Sequence, residues 1–491
     1  MKLVIILITF ALVFFWGCND LLEQEPFSAL SPNNFYQSEA DVDAAVIAIY
    51  NGLVGNNGVN RNVNIVTDAN ADDLNIRNGS DRIAIDRYVH TADNGVLRGM
   101  YNSFYQGISR ANDVLSNVEA APVSDAVKQQ ATGEALFLRG FYYHYLVRWF
   151  GPLPLTTQPI TDVNSAIVAR SPTADVYQQI IADLNGAIER LPATYDEADL
   201  GRATKGAAQT ALAKVYMSLQ NWSEVRTQLE AVINSGDYEL FDTYAEIFYP
   251  ENKNSKEHIF MIQHLLDASS GSLFGGYMTS FFPRSSSLAF STFYPTEGPT
   301  GIYQAYEEGD VRRDLYLTPD GTYTYQGNVI SQDGILIDNV GDSIVVDRVY
   351  VAKYYEPQAR RSNSDMNFPL LRYADVLLMY AEVLNELEGG PNDEAYSAVN
   401  RVRTRAGLAP LEGLTQGQFR EAIYQERRVE LAFEGHRWFD LKRTGRLIDV
   451  MQAHLLDEFG EVTIEPYHVL YPIPIQEVQL SLGVITQNEG Y

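Results

Sequence analysis

Residues 368–390 read FPLLRYADVLLMYAEVLNELEGG, and this stretch decides the fold. Tyr373, Val376, Leu377, Tyr380, Leu384 and Leu387 recur at intervals of three or four, which places them on one face of a helix. Ala374, Leu378 and Ala381 occupy another face, and the two alanines let a neighbouring helix approach closely, so packing on two sides is expected. Gly389, Gly390 and Pro391 end the helix. A second helix, near Glu394–Ala406, buries Ala395, Val399, Val402 and Ala406, stops at Gly407, and leaves Arg401, Arg403 and Arg405 in need of acceptors. A third starts near Gln416 and carries Glu426, Glu430 and Glu434 four apart on one face, an arrangement that repels itself by a few tenths of a kcal/mol per pair unless cations answer it. Arginines of the preceding helix, or Arg372, are the expected answer, so ion pairing would fix how the helices dock.

Three runs in this region resemble successive signatures of the SusD/RagB family. They are Arg372-Tyr373-Ala374-Asp375-Val376-Leu377-Leu378, then Asn400-Arg401-Val402-Arg403 with Arg405-Ala406-Gly407, then Glu426-Arg427-Arg428-Val429-Glu430-Leu431-Ala432-Phe433-Glu434-Gly435 with Arg437-Trp438-Phe439-Asp440-Leu441. Upstream, Arg139-Gly140-Phe141-Tyr142-Tyr143, Phe150-Gly151 with Pro154-Leu155, and Gly201-Arg202-Ala203-Thr204-Lys205-Gly206-Ala207-Ala208 are similar to signatures of that family's N-terminal half. Glu308-Gly309-Asp310-Val311-Arg312-Arg313-Asp314 resembles a further one, and Leu470-Tyr471-Pro472-Ile473-Pro474 with Gln487-Asn488-Glu489-Gly490-Tyr491 is similar to the family's terminus. The likeness spans nearly the whole chain apart from two loop regions.

Helical periodicity recurs before this stretch: Val42 to Leu53, Met100 to Val118, Asp125 to Phe150, Pro172 to Pro192, Thr204 to Leu219 and Glu224 to Ile233. Phe137, Leu138, Phe141, Tyr142, Tyr145, Leu146 and Trp149 form a broad aromatic stripe, which reads as core. Helix-turn-helix pairs in succession indicate stacked repeats of tetratricopeptide type. The expected fold is therefore mainly α, a tetratricopeptide-like superhelix with long loop insertions. Turn signals at Pro319-Asp320-Gly321, Gln332-Asp333-Gly334 and Val340-Gly341-Asp342 add a small β-hairpin element.

The totals exclude several function classes. At 491 residues with 46% hydrophobic side chains, the chain has ample core. A net charge of -27, with no basic cluster to displace phosphate counterions, argues against nucleic acid. Cys18 is the only cysteine, so intrachain disulfides and cysteine-built metal sites are excluded. No HExxH, phosphate-binding glycine loop or GxSxG occurs, and no cofactor is expected. His258 and His264 lie on one face of an expected strand about 20 Å apart, too far to share a metal. Asp68, Asn70 and Asp72 begin like a calcium loop, but Asp73 and Gly79 stand where Gly and a bidentate Glu are required, so solvated loop carboxylates are expected instead.

At the N-terminus, Lys2 precedes an apolar run from Leu3 to Trp16, too short to span a bilayer but right for a signal-peptide core, and Gly17-Cys18 follows it as in a lipobox. The expected division is a signal peptide at 1–17, a lipidated tether at 18–36 beginning with Cys18, an N-terminal helical part at 37–235, and a C-terminal part at 236–491 with ligand loops and closing helices.

Two regions look like loops. One is Asn- and Gly-rich from Asn51 to Asp81; the other, Ala268 to Tyr303, is rich in Gly and Ser but studded with Phe274, Tyr277, Phe281, Phe282, Phe290, Phe293 and Tyr294. Aromatic rings with polar neighbours suit the apolar CH faces and hydroxyls of sugars. Asp68 to Tyr88 and Phe274 to Tyr294 match, by position, the ligand-contacting loops of the SusD/RagB family. That resemblance implies ligand binding by Asn75, Arg77, Tyr277, Phe281, Phe293 and Tyr294. It also implies a cell-surface lipoprotein of the outer membrane that binds a glycan, oligosaccharide or other small nutrient and delivers it to a TonB-dependent transporter of the SusC type, without catalysis. Neither loop contains a tryptophan, which favours short ligands over long polysaccharides. The alternatives are a helical glycosidase using Glu426, Glu430 or Glu434, and a pure protein-interaction scaffold.

Overall fold

A computed structural model describes residues 35–59, 61–162, 165–265, 278–283, 293–338, 340–359, 364–460 and 463–491. The signal peptide, Cys18, almost all of the tether and Tyr277 lie outside them. The protein is helix-rich. The first half stacks α1 (Glu39–Tyr50), α2 (Ser80–Asp86), α3 (Gly95–Asn117), α4 (Asp125–Phe150), α5 (Thr173–Arg190), α6 (Lys205–Ser218) and α7 (Trp222–Ser235). The second contributes α8 (Tyr373–Glu388), α9 (Asp393–Arg405), α10 (Gln416–Glu430), α11 (Arg437–Arg443) and α12 (Leu447–Phe459).

From α3 to α7 each helix packs on the next, and α8 then packs on α7, α9 and α10, so the stack continues through the second half. Local chemistry sets the boundaries. Ser38 and Asp41 form a capping box at α1, Asn94 accepts from Val96 and Leu97 at α3, and Thr415 with Gln418 caps α10. The sequence bounds of α4 match those observed, with Gly151 at φ 72° closing it. Its aromatic stripe is core, and the Tyr142 hydroxyl donates to the Ile49 carbonyl at 2.6 Å. A side chain on Gly107 of α3 would meet that Tyr142 ring at 2.4 Å, so this crossing requires glycine.

In the deciding stretch one element is added and one expectation changes. Phe368–Arg372, ahead of the first helix, is a strand; it pairs antiparallel with His258–Ile262, and every residue of both is buried. Proline at 369 and the need to satisfy backbone groups between two helical layers explain the extended form. The third helix ends at Glu430, so Glu434 sits in the following turn, where Phe433 takes φ 65°. The hairpin element is larger than expected: Thr322–Tyr325, Asn328–Gln332, Ile335–Ile337 and Ser343–Val345 form a four-stranded meander around a second small core of Phe282, Leu317, Tyr323, Leu336 and Tyr355. Asp333 and Gly334, both at positive φ, make the two-residue turn that the Asp-Gly pair predicts.

The arginine and glutamate expectation holds. Arg372 donates to Glu434 at 2.6 and 2.8 Å, to Glu430 at 3.0 Å and to Glu257. Arg405 reaches Glu430 and Glu257 at 2.5 Å, Arg403 reaches Glu426 at 2.9 Å and Glu307 at 2.7 Å, and Arg312 reaches Glu426 at 2.6 Å and Glu430 at 3.0 Å. Arg401 stays outside this network, lying over the Tyr373 ring. Burial pushes the Glu430 carboxyl up, but Arg405, Arg372 and Arg312 override it and hold it at about 2. His258 and His264 each bond a backbone carbonyl, of Ile247 at 3.0 Å and Met366 at 2.7 Å, and among the described residues no group of side chains forms a metal site.

Candidate functional site

The two regions read as separate loops meet, among the described residues, in one strand pair. β1 (Leu74–Ile76) pairs antiparallel with β2 (Phe293–Pro295), placing Asn75 opposite Tyr294 and Ile76 opposite Phe293. Beyond the last rung, Thr296 donates through its amide to the Asp73 carbonyl at 3.1 Å and through its hydroxyl to the Asp72 carbonyl at 2.7 Å. Strand alternation then sorts the side chains. Leu74, Ile76, Phe293 and Pro295 turn inward, while Asn75 and Tyr294 share the opposite face.

The acidic run before β1 is not solvated. Asp68, Asp72 and Asp73 are buried, and Asp68 accepts from the Gly435 amide at 3.0 Å. Arg437 binds Asp72 at 2.7 and 2.9 Å, and Arg428 binds Asp73 at 2.8 Å. Burial works against the Asp72 charge, but Arg437 and Arg428 hold its carboxyl well below the ordinary range; burial wins at Asp73, whose carboxyl is raised. The sequence signal for this was present: Arg428 in the last turn of α10 and Arg437 at the start of α11 have no obvious partner nearby. Their job is to clamp the base of the β1 and β2 pair onto α10 and α11.

The expected ligand residues separate. Phe281 and Phe293 are fully buried; Phe281 packs at 5.6 Å from both Phe293 and Phe433 and at 5.9 Å from Tyr354. The ligand-facing role expected of these two rings is therefore corrected: they are apolar staples under the loop. Asn75 is also buried, donating to Glu458 at 2.9 Å. Arg77 is exposed and Tyr294 half-buried, and they do come together, with the guanidinium carbon 5.1 Å from the ring centroid. Sequence reasoning missed the rest of the cluster. Arg348 lies 5.1 Å from the same ring, Tyr350 lies 5.7 Å from it, and exposed Asp347 accepts from the Tyr350 hydroxyl at 2.6 Å. That hydrogen bond, with Arg348 beside it, holds the Asp347 carboxyl below its usual value. Chemically this is a half-buried ring with the Arg77 and Arg348 guanidiniums over it and the exposed Asp347 carboxylate on the neighbouring tyrosine, a group able to donate to and accept from a polyhydroxylated ligand.

Two family models match the chain: residues 20–217 match one described as "Starch-binding associating with outer membrane", and residues 234–491 match one described as "SusD family". The chain is 30% identical to SusD-like protein P25 of Formosa agariphila over 99% of both chains, and 29% identical to SusD-like protein P2 of the same organism over 97% of both. A solved laminarin-binding SusD-like protein superposes with a TM-score of 0.76 at 27% identity, covering 93% of this chain and 100% of that one. A SusD superfamily protein from Bacteroides vulgatus superposes with a TM-score of 0.78 at 24% identity, again over 93% and 100%, a likeness of fold.

Proposed function

The chain belongs to the SusD family, and from that membership we propose that it is a non-catalytic glycan-binding lipoprotein of the outer membrane that passes its ligand to a TonB-dependent transporter of the SusC type. The observation that carries the binding role is the pairing of β1 with β2, which joins Arg77 and Tyr294 on one solvent-facing spot beside Arg348 and Asp347. A starch-binding, outer-membrane description for residues 20–217 and a laminarin-binding relative support a glucan-like oligosaccharide as ligand. Of the three tryptophans among the described residues, Trp149 and Trp438 are shut in the core and Trp222 is half-buried at the start of α7, so none stands beside Tyr294 in sequence, in keeping with a short ligand held by hydrogen bonds rather than a long stacked polymer. A glycosidase reading loses its candidates, because Glu426, Glu430 and Glu434 are buried and each is paired with a cation.

Titration calorimetry with laminarin-derived and starch-derived oligosaccharides is expected to give saturable binding and no cleavage products. Tyr294→Ala and Arg77→Ala should each weaken that binding by roughly tenfold or more while circular dichroism stays unchanged. Equal affinity in both variants removes the site assignment. Residue 18 carries the membrane part of the reading: Cys18→Ser is expected to move the protein from the membrane fraction to the soluble one, and retention in the membrane would discard the lipid anchor.

A further inference from the structure

A second site, away from the β1 and β2 pair, opens between α4, α5, α6 and α11. It is a cavity of about 460 Å³, in the size range of small-ligand pockets. Much of its wall is apolar, from Phe141, Tyr145, Met217, Leu370, Phe439 and Leu470. Its charges do not balance. Arg148, Lys214, Arg427, Lys442 and Arg443 line it, and three carboxylates answer some of them: Asp375 takes Lys214 at 2.5 Å and Arg427 at 2.7 Å, Asp440 takes Arg427 at 2.9 Å and Arg443 at 2.8 Å, and Glu382 takes Arg443 at 2.5 Å.

Arg148 and Lys442 are left over. Among the described residues neither forms an ion pair with a carboxylate. Arg148 donates to the His144 carbonyl at 3.0 Å and lies 3.5 Å from the Phe439 ring centroid; Lys442 donates to the Arg148 carbonyl and lies 5.0 Å from the Trp438 ring. Two half-buried cations facing one another, in a chain whose net charge is -27, are costly unless something answers them. Asp440 lines the cavity and attracts Arg148, but its carboxylate is already held by Arg427 and Arg443, and no carboxylate pairs directly with Arg148 or Lys442 among the described residues.

We propose that this cavity binds a small organic anion, its carboxylate or sulfate between Arg148 and Lys442 and its apolar body against Phe439, Tyr145 and Leu470. Charge-assisted hydrogen bonds to a guanidinium and an ammonium supply the orientation, and the apolar wall supplies the affinity for a body that inorganic ions lack. The site is independent of the oligosaccharide reading and stands or falls separately from it. A bound anion also restores the ammonium. Burial, with Arg148 beside it, lowers Lys442 to about 7, so the free protein carries this proton only part of the time at neutral pH. Other groups facing the cavity keep their state near neutrality: burial pushes His144 and His436 down, the latter to about 3, and pushes Tyr145 and Tyr177 up, while Asp440 is held low by Arg427 and Arg443 against its burial. Lys214 is likewise lowered by burial, against the opposing pull of Asp375.

The test is calorimetric titration of the full protein with benzoate, benzyl alcohol, glucuronate and inorganic sulfate. Benzoate is expected to bind and benzyl alcohol not to; glucuronate binding as well would place sugar acids among the ligands and also supports the site. Lys442→Gln should weaken benzoate about tenfold, the loss of one charge-assisted contact. In the wild type, benzoate should bind roughly tenfold less tightly at about pH 8 than at about pH 6, and Lys442→Arg should keep the binding and lose that pH dependence. Failure of benzoate to bind, or binding that ignores both substitutions, overturns the proposal. So does sulfate binding as tightly as benzoate, which would leave only an inorganic-anion site. Oligosaccharide affinity measured on the same samples should be unaffected by Lys442→Gln, so the two sites report separately.

Discussion

Arg372→Met is expected to lower the unfolding free energy by about 3–5 kcal/mol, the cost of removing one partner from a buried ion network. The arginine is fully buried and its guanidinium is shared among Glu257, Glu430 and Glu434, with a further bond to the Glu430 carbonyl at 3.1 Å. Arg405 and Lys353 compensate only part of what is lost, since Glu434 would keep Lys353 at 2.6 Å and Glu430 would keep Arg405 at 2.5 Å. Arg372 ends the buried strand and is the N-cap residue immediately before α8, so the loss is felt where the first helical half meets the second. Urea unfolding of wild type and variant measures it. A loss under about 1 kcal/mol, the worth of an exposed pair, would mean the network is hydrated and does not hold the halves together.

Acid is the second strong perturbation. All seven histidines have their imidazoles lowered by burial, His90 and His436 to about 3, His264 to about 4, and His144, His258, His454 and His468 in the same direction. The folded chain therefore prefers neutral imidazole, while the unfolded chain takes up a proton near about pH 6.5. The stabilisation is fully present above that value and is lost as pH falls towards the folded values, by up to about 1.4 kcal/mol per pH unit for each fully buried ring. Asp73, Asp86, Glu134 and Glu356, raised by burial, oppose this in part. The melting temperature should therefore fall markedly between about pH 7 and about pH 5, with net proton uptake on unfolding. Further acid should unfold the protein as Glu430, Asp72 and Asp375, held low by arginines and Lys214 against their burial, become protonated. A melting temperature that is flat or rising from neutral to about pH 5 would contradict the buried, neutral state of these rings.

Helices were legible because their period is local: α4 follows from the spacing of its apolar side chains and its stop at Gly151, and α10 begins where the spacing placed it, at Gln416. The network around Arg372 was legible as a need, since three glutamates on one helix face require cations. What escaped was non-local. Pairing of Leu74–Ile76 with Phe293–Pro295 leaves no trace in either segment alone, being too short for alternation to register. The same brevity hid the inward turn of Phe293, which a ring-rich, glycine-rich context made look solvent-facing. The Asp68 to Asp73 run misled because clustered acids are ordinarily exposed, and only Arg428 and Arg437, far along the chain, reverse that. Arg348 and Tyr350 enter the Tyr294 cluster from the region after the meander, again a matter of tertiary approach.

That short pairing constrains how such proteins can be re-engineered. A transplant of residues 72–86 from a homologue would arrive without its partner rungs, and the Thr296 anchors to the carbonyls of residues 72 and 73 would meet a foreign backbone. Ligand preference should therefore be exchanged between relatives only when both segments travel together with the two arginines beneath them. Drift in one segment, likewise, is tolerated only as fast as the other accommodates it.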